Sequence, residues 1–355
     1  MNHPPRKIDI QLTYLDPFLL DRARVNVGLS RTQIQQKTGL ALNTLAEAFK
    51  GEGLQAGKAE KLSHRVGCSV LELLAPWDPR YKPPAEPPGP WSGALEWECK
   101  GYLDQGRLAP NGLYYIVCRM QHRYTANRLG RGKFYHLSWL PPAKREGMRH
   151  QLSRHADVCA RVGIHPQIVI NHCSTPIAHD EGWWVIDDWV GEKTLADHLH
   201  ASPWPREQVP WLLLEIARGL EFLHSAEVVF RELAPARVSI SDKDGRAVLT
   251  DFELAKLLDG GPSVSGDWPE DPFRAPELDG GATTVRADLY SLAQVAAAAV
   301  SGPNFDPVDV VELLGSADMP TRLHRLMVDC SEPVPDRRPS DLSRLLKELA
   351  RWAER

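Results

Sequence analysis

Several features are scarce in this sequence, and each scarcity excludes something. The six cysteines (Cys68, Cys99, Cys118, Cys159, Cys173, Cys330) are scattered through 355 residues with no C-x-x-C pair. Neither a zinc ribbon nor a thioredoxin-type redox site is supported. Long apolar runs are missing, since WLLLEIA and VAAAAV are too short to span a bilayer. The opening MNHPPRKIDI has no apolar stretch of the secretory kind. The expectation is a reduced, cytoplasmic protein with no membrane partner. Positive charge is not in excess: the formal net charge is −4. That excludes a wholly basic nucleic-acid coat and leaves room for a local basic patch. No internal repeat at solenoid periods is visible. What remains is a composition of 43% hydrophobic and 25% charged residues. It is that of a globular chain with a core, and the length predicts two domains.

Residues 76–90 read PWDPRYKPPAEPPGP, seven prolines in fifteen positions. Proline lacks the amide hydrogen and restricts the residue before it, so neither helix nor central strand fits. The stretch reads as a semi-rigid linker, with a proline-rich ligand segment as the alternative. Residues 1–80 carry 11 Lys and Arg against 8 Asp and Glu, while the rest is acidic. The predicted organisation is a small domain at 1–75, a linker at 76–90 and a large domain at 91–355.

The small domain shows short helical patterns. Leu19, Leu20, Ala23 and Val27 share one face. Gly28-Leu29-Ser30 stops that helix, and Ser30 is placed to cap the next, which ends at Gly39. A third helix is predicted from about Leu42 to Lys50, a fourth from Lys58 to Val66 and a fifth near Val70–Leu74. The order GLSRTQIQQKTGLALNTLAEAFKGEG…KAEKLSHRVGCSVLELL resembles a phage-repressor-type helix-turn-helix domain. The resemblance implies an all-α fold that places a recognition helix in a DNA groove, here presenting Asn43, Thr44, Glu47 and Lys50. Arg31, Gln33 and Gln36 would support it at the backbone. One cation and one anion make a poor phosphate-binding face, so DNA contact and a protein-interaction module both stand as readings.

In the large domain, 93–103, 112–121 and 133–140 read as strands and about 142–162 as a helix. GWWVIDDWVGEKTLADHL then gives an apolar strand leading into a helix start at Thr194. EQVPWLLLEIARGLEFLHS gives an amphipathic helix, with Leu212, Ile216, Leu220 and Leu223 on one stripe. Phe230-Arg231-Glu232-Leu233-Ala234-Pro235, Thr250-Asp251-Phe252-Glu253, Ala275-Pro276-Glu277, Asp288 and Pro335-Asp336-Arg337-Arg338-Pro339 follow in that order.

This order resembles a protein kinase domain over residues 91–355, with a strand-rich lobe at 91–190 and a helical lobe at 191–355. The resemblance implies a two-lobed α+β fold that binds ATP and magnesium. Asp251 matches the metal-holding aspartate, and Glu232 stands at the catalytic base with Arg231 before it. A glutamate there displaces the carboxylate by a methylene, and misplacement of that size can cost about 10²-fold in rate. Ala234 stands where a phosphate-touching lysine is usual. Arg237 stands where the second metal ligand is usual, a cation in place of a cation-binding group. Glu253 replaces glycine, as an anion beside the metal site or as a solvated carboxylate.

Two registers compete upstream. Either LGRG at 129–132 is the phosphate loop or 133–140 is the third strand; chain length favours the second, leaving DQGRLAPNG at 104–112 as the loop. In that register the nucleotide-binding lysine falls near Ser138, its helix partner near His155 or Ala156, and Lys133 could reach in from nearby. Asp187, followed by Asp188, stands at the entrance strand, a polar group in need of a partner. The nucleotide-binding set is Asp251, Asp187, Asp188, Lys133 and Arg237. Glu277 with Arg338 matches a buried structural ion pair, and Asp288 matches the anchor of the catalytic-loop backbone. Ser263 and Ser265 read as turn residues or as phosphorylation sites that Arg231 would meet. His165, His172 and Cys173 fit no common metal-ligand spacing, and Trp183, Trp184 and Trp189 read as core and groove wall. Fold-holding positions kept and reaction-carrying positions replaced resemble a pseudokinase, a regulatory scaffold with protein partners. An active atypical Ser/Thr kinase and a DNA-binding regulator with a kinase-fold sensor are the alternatives.

Overall fold

The computed structural model describes residues 9, 11–27, 29–75, 78, 80, 96–108, 114–125, 127–137, 142–177, 182–258, 271–280 and 283–355. The proline-rich stretch lies almost wholly outside these, as do Ser138, Ser263 and Ser265. Two units divide the chain: Met1–Pro88 with Gln105–Tyr115, and Gly89–Asp104 with Ile116–Arg355.

The first unit holds four short helices, α1 (Pro17–Asn26), α2 (Arg31–Thr38), α3 (Leu42–Ala48) and α4 (Ala56–Arg65). Two-residue strands β1 (Thr13–Tyr14) and β2 (Gly53–Leu54) pair antiparallel. The fifth predicted helix is a single 3₁₀ turn, Leu71–Leu73. Local chemistry explains the helix ends. The Ser30 hydroxyl accepts from the Gln33 amide and the Gln33 side chain answers to the Ser30 amide, a reciprocal cap. Gly39 closes α2 at φ 68°, where other residues pay for their Cβ. Leu20, Ile34, Leu45, Leu54 and Leu62 form the core.

The second unit begins with a five-stranded sheet, β3 (Trp97–Leu108), β4 (Tyr114–His122), β5 (Leu129–His136), β6 (Asn171–Pro176) and β7 (Gly182–Asp188). Its spatial order is β3-β4-β5-β7-β6, with β5 antiparallel to β7 so that Lys133 faces Val185. Helix α5 (Pro142–Val162) packs on the sheet. A helical half follows with α6 (Leu195–Leu199), α7 (Val209–Ser225), α8 (Arg286–Ser301), α9 (Val310–Gly315), α10 (Thr321–Cys330) and α11 (Ser343–Ala353). The predicted stripe of α7, Leu212, Ile216, Leu220 and Leu223, is buried. It meets the alanine-rich face of α8 in the largest core cluster. Two ribbons lie on this half: β8 (Val228–Val229) with β11 (Lys256–Leu257), and β9 (Val238–Ile240) with β10 (Ala247–Leu249). Thr194 caps α6, exchanging hydrogen bonds with Asp197. Among the described residues no helix is long and apolar enough to cross a membrane.

Two sequence expectations are corrected here. The third strand runs 129–136 rather than 133–140, so LGRG lies inside it. Its glycines serve packing. A Cβ at Gly130 would sit 2.9 Å from the Trp97 ring, and one at Gly132 would sit 2.7 Å from Met120 and 2.8 Å from Trp184. The register that put a lysine near Ser138 therefore shifts, and Lys133 lies inside β5.

Candidate functional site

Lys133, in the middle of β5, is the lysine that reaches the cleft. Its side chain is 8% exposed and its ammonium contacts Asp251 Oδ1. The other oxygen of the same carboxylate, Oδ2, accepts from Arg237 Nη1 at 3.1 Å. Arg237 Nη2 lies 3.9 Å from Glu232 Oε1. Thus four predicted residues from β5, the segment after β8, the 3₁₀ turn Pro235–Arg237 and the segment after β10 meet at one point.

Backbone strain marks the same place. Arg231 and Asp251 both sit at φ 70°, a left-handed conformation costly for side-chain-bearing residues. Asp288 helps hold the first of them. Its Oδ1 accepts from the Arg231 amide at 2.7 Å. Its Oδ2 accepts from the Phe230 amide at 2.8 Å and contacts His224 Nε2 at 2.8 Å. Arg231 itself is buried, with Nη1 directed at the Leu254 carbonyl at 3.4 Å.

The electrostatics separate two carboxylates. Burial alone would raise the pKa of Asp251; the charges of Lys133 and Arg237 reverse this and hold it well below the usual range. Burial raises Glu232 to about 8, and Glu253, Asp251 and Asp271 add to the push against the opposing charge of Arg237. Glu232 is therefore mainly protonated at neutral pH, which is the wrong state for a general base.

Asp187 is buried and has its partners. Its Oδ1 accepts from Asn171 Nδ2 at 2.8 Å and from His155 Nε2 at 2.8 Å. His155 stands on α5 at the expected helix-partner position, fully buried. Its Nδ1 accepts from the Phe252 amide at 3.0 Å. Burial disfavours a charged ring and Asp187 favours it, with the balance raised. A second ring proton would have to displace the Phe252 amide, so the hydrogen bonds favour the neutral Nε2–H form. His155 stacks on Phe252 and Phe252 meets Phe230 at a tilt, with centroids 5.5 and 5.2 Å apart. Glu253 is not a solvated carboxylate: it is 5% exposed, its Oε1 accepts from Tyr135 Oη at 2.6 Å, and its charge bears on Glu232 beside Asp251.

The cleft is lined by Arg131, Lys133, Val169, Asp187, Asp188, Val190, Ser239, Thr250 and Asp251. Its empty volume is about 270 Å³, including space open to solvent. Sequence reasoning missed Arg131. Its Nη1 donates to the Gly191 and Glu192 carbonyls, both at 3.2 Å, tying β5 to the segment after β7. The signal was present as a long cation two residues before Lys133 on the same strand face. Asp188 turns to His172 at 3.1 Å. His172 also takes Arg128 at 2.8 Å and is thereby occupied as a hydrogen-bonding partner.

Magnesium needs oxygen ligands in near-octahedral array. Here both oxygens of Asp251 face cations, and the second ligand position is itself a guanidinium. The donor set does not fit a divalent metal. Among the described residues no group of three His, Cys, Asp or Glu side chains forms a metal cluster either.

Away from the cleft, Arg338 Nη1 and Nη2 hold Glu277 Oε1 and Oε2 at 2.6 and 2.9 Å, with the Arg338 side chain fully buried. In the first unit, Asn43 and Lys50 are exposed, but Thr44 is buried at 7% and does not face a groove as expected. Arg31 lies over the Phe49 ring at 4.3 Å.

This two-part fold, with its cleft and anchored loop, is that of a protein kinase domain. The family model described as "Protein kinase domain" matches residues 128–354, and the chain belongs to that family. The match begins at β5 and leaves β3 and β4 outside it. Serine/threonine-protein kinase PknJ of Mycobacterium tuberculosis is 32% identical over 151 residues, 41% of this chain and 25% of that protein. Serine/threonine-protein kinase C of Synechocystis sp. is 26% identical over 164 residues, 44% of this chain and 30% of its own length. Developmentally-regulated protein kinase 1 of Dictyostelium discoideum is 34% identical over 94 residues, 26% and 13% of the respective lengths. In each, the matched stretch is less than a third of the relative.

Proposed function

We propose that the chain is a regulatory protein whose kinase-fold domain works as a binding module and does not carry out magnesium-dependent phosphotransfer. One observation carries this reading: each oxygen of the Asp251 carboxylate is engaged by a protein cation. A protonated Glu232 at the base position and the absence of a carboxamide at position 237 add to it. The partners are proteins bound by the domain surface. The first unit, read as a helix-turn-helix domain, serves as an interaction module in which exposed Glu47 on α3 and Lys50 just beyond it offer too little cationic surface for strong phosphate binding. The site is read as cytoplasmic.

The test is transfer of labelled phosphate from ATP with magnesium, to the chain itself and to a basic acceptor protein. The expected result is no transfer above that of Asp251→Ala. Transfer at least about tenfold above that variant, a difference of about 1.4 kcal/mol in barrier, would overturn the reading. Lys133 in the cleft favours a second reading, a slow atypical Ser/Thr kinase, and the same assay decides between them.

A further inference from the structure

We propose that β5 clasps the strand-rich and helical halves of the second unit together, so that their arrangement is fixed without a ligand. The clasp uses one face of one strand. Successive side chains of a strand alternate between its faces, so Arg131, Lys133 and Tyr135 lie on the same one. Each reaches a different point across the cleft. Arg131 Nη1 donates to the Gly191 and Glu192 carbonyls. That segment belongs to the helical half, because the Ile240 amide donates to the Lys193 carbonyl and the Asp242 amide to the Val190 carbonyl, both at 3.1 Å. Lys133 contacts Asp251, and Tyr135 Oη donates to Glu253 Oε1. Between those two, the Phe252 amide donates to His155 Nδ1 on α5. Three consecutive residues, 251–253, are thereby fixed to the strand-rich half, each by a different group.

The inner contacts are dry: Tyr135, Glu253, Lys133 and Asp251 are 2%, 5%, 6% and 6% exposed. Buried charge contacts are screened little by salt, and opening one leaves a desolvated group without its partner. Asp251 at φ 70° adds a second mark, since such a conformation persists only where its surroundings over-determine it. The opposite face of β5 seats the strand. Gly130 and Gly132 lie close against Trp97, Met120 and Trp184, and the Phe134 ring meets Trp184 at 5.1 Å. Where a domain closes around a ligand, the ligand completes the contacts between its parts. Here side chains of the chain itself complete them.

The experiment is hydrogen exchange on the full chain, read at the Phe252 amide, with α11 as the reference for global opening. In the ligand-free chain this amide is expected to exchange at least about 10³-fold more slowly than in an unfolded peptide. Millimolar ATP with magnesium is expected to change that rate by less than about threefold. Tyr135→Phe removes one hydroxyl and should speed the exchange at least about fivefold, as loss of a buried hydrogen bond to a charged group does, while α11 keeps its rate. Arg131→Ala touches neither Phe252 nor its neighbours, yet should speed the same amide about twofold or more if β5 acts as one clasp. Should Tyr135→Phe fail to fold, Glu253→Ala takes its place with the same expectation. A Phe252 amide that exchanges like an exposed loop in the free chain overturns the proposal. So does a larger slowing by ATP, which would mean that the halves close on the ligand. An unchanged rate in Arg131→Ala overturns the single clasp, and equal acceleration in α11 would mean that these contacts serve global stability alone. Phosphate transfer sinks the function proposed above and leaves the clasp standing, whereas fast exchange at Phe252 without transfer sinks the clasp alone.

Discussion

Two buried ion-pair systems in the second unit are built differently. In the scaffold, Arg338 and Glu277 meet fork to fork, and Arg338 also donates to the Glu332, Pro333 and Arg286 carbonyls. In the cleft, one carboxylate is shared by two cations that arrive from separate segments, and the assembly lines an opening. The first arrangement closes on itself and leaves nothing for a ligand to do. The second lines an opening, with Lys133 and Asp251 in its wall. Family position alone does not distinguish them, because both sets stand at the expected motif positions. What separates them is where they stand: Arg338 and Glu277 inside the scaffold, Lys133 and Asp251 in the cleft wall.

The largest effect should come from breaking the closed system. Arg338→Met leaves Glu277 largely buried without its partner. Removing one partner of a buried pair costs about 3–5 kcal/mol, or roughly 10 °C in melting temperature for a unit of this size. Differential scanning calorimetry checks it. A loss under about 1 kcal/mol would mean that the pair is no more than a surface contact. Next comes Asp288→Ala, which strands the Phe230 and Arg231 amides. Each buried amide left without an acceptor costs about 1–3 kcal/mol. Hydrogen exchange should show the Phe230–Glu232 segment opening more often in the variant while α11 keeps its protection.

The pH dependence sharpens the contrast. Glu232 titrates near 8 in the fold against an ordinary 4.5. The native state therefore binds the extra proton between these values, and this group makes stability fall as pH rises from about 4.5 through 8. Glu232→Gln should flatten that slope and raise stability relative to wild type at pH 8–9, read from urea midpoints. Asp251 works in the opposite sense. Its depressed pKa stabilises the fold above the ordinary carboxylate range, and the contribution drains away as pH falls below it. Asp251→Asn should therefore be most damaging at neutral pH and least at acid pH. An unchanged pH profile in both variants would remove the electrostatic distinction between the two carboxylates.

Much of the scaffold was legible from local chemistry. Ser30 and Thr194 are capping residues followed three positions later by Gln33 and Asp197, and both caps form. The stripe of α7 follows from its period. Asp288, Glu277 and Arg338 lie beside rigid motif segments and were placed by order alone. The cleft was harder because its contacts join residues far apart in the chain. A lysine was expected near Ser138, with Lys133 reaching in from nearby, because the strand was started at 133, just past Gly130 and Gly132. Only the packing of Trp97, Met120 and Trp184 over those glycines, with the pairing of β5 to β7, sets the strand. Glu253 finds Tyr135 across 118 residues, and no local pattern announces that. Thr44 fell on the buried side of α3 because a seven-residue helix gives too few turns to set its phase by periodicity.

Arg131 supplies the finest test of the comparison. Its guanidinium bonds two carbonyls at a partly exposed edge, where a charge contact contributes little, about 0–1 kcal/mol. Arg131→Ala should therefore shift the melting temperature by no more than about 2–4 °C. The same change takes a cation from the cleft lining, so its effect on ATP affinity should exceed its effect on stability. Arg338→Met should give the reverse ordering: a large stability loss, and unchanged affinity at temperatures where the variant is folded. If both variants lose affinity only in proportion to lost stability, the cleft is another part of the scaffold and its cations serve folding alone. If the orderings cross, the two charge systems have separate jobs, one holding the fold and the other facing a ligand.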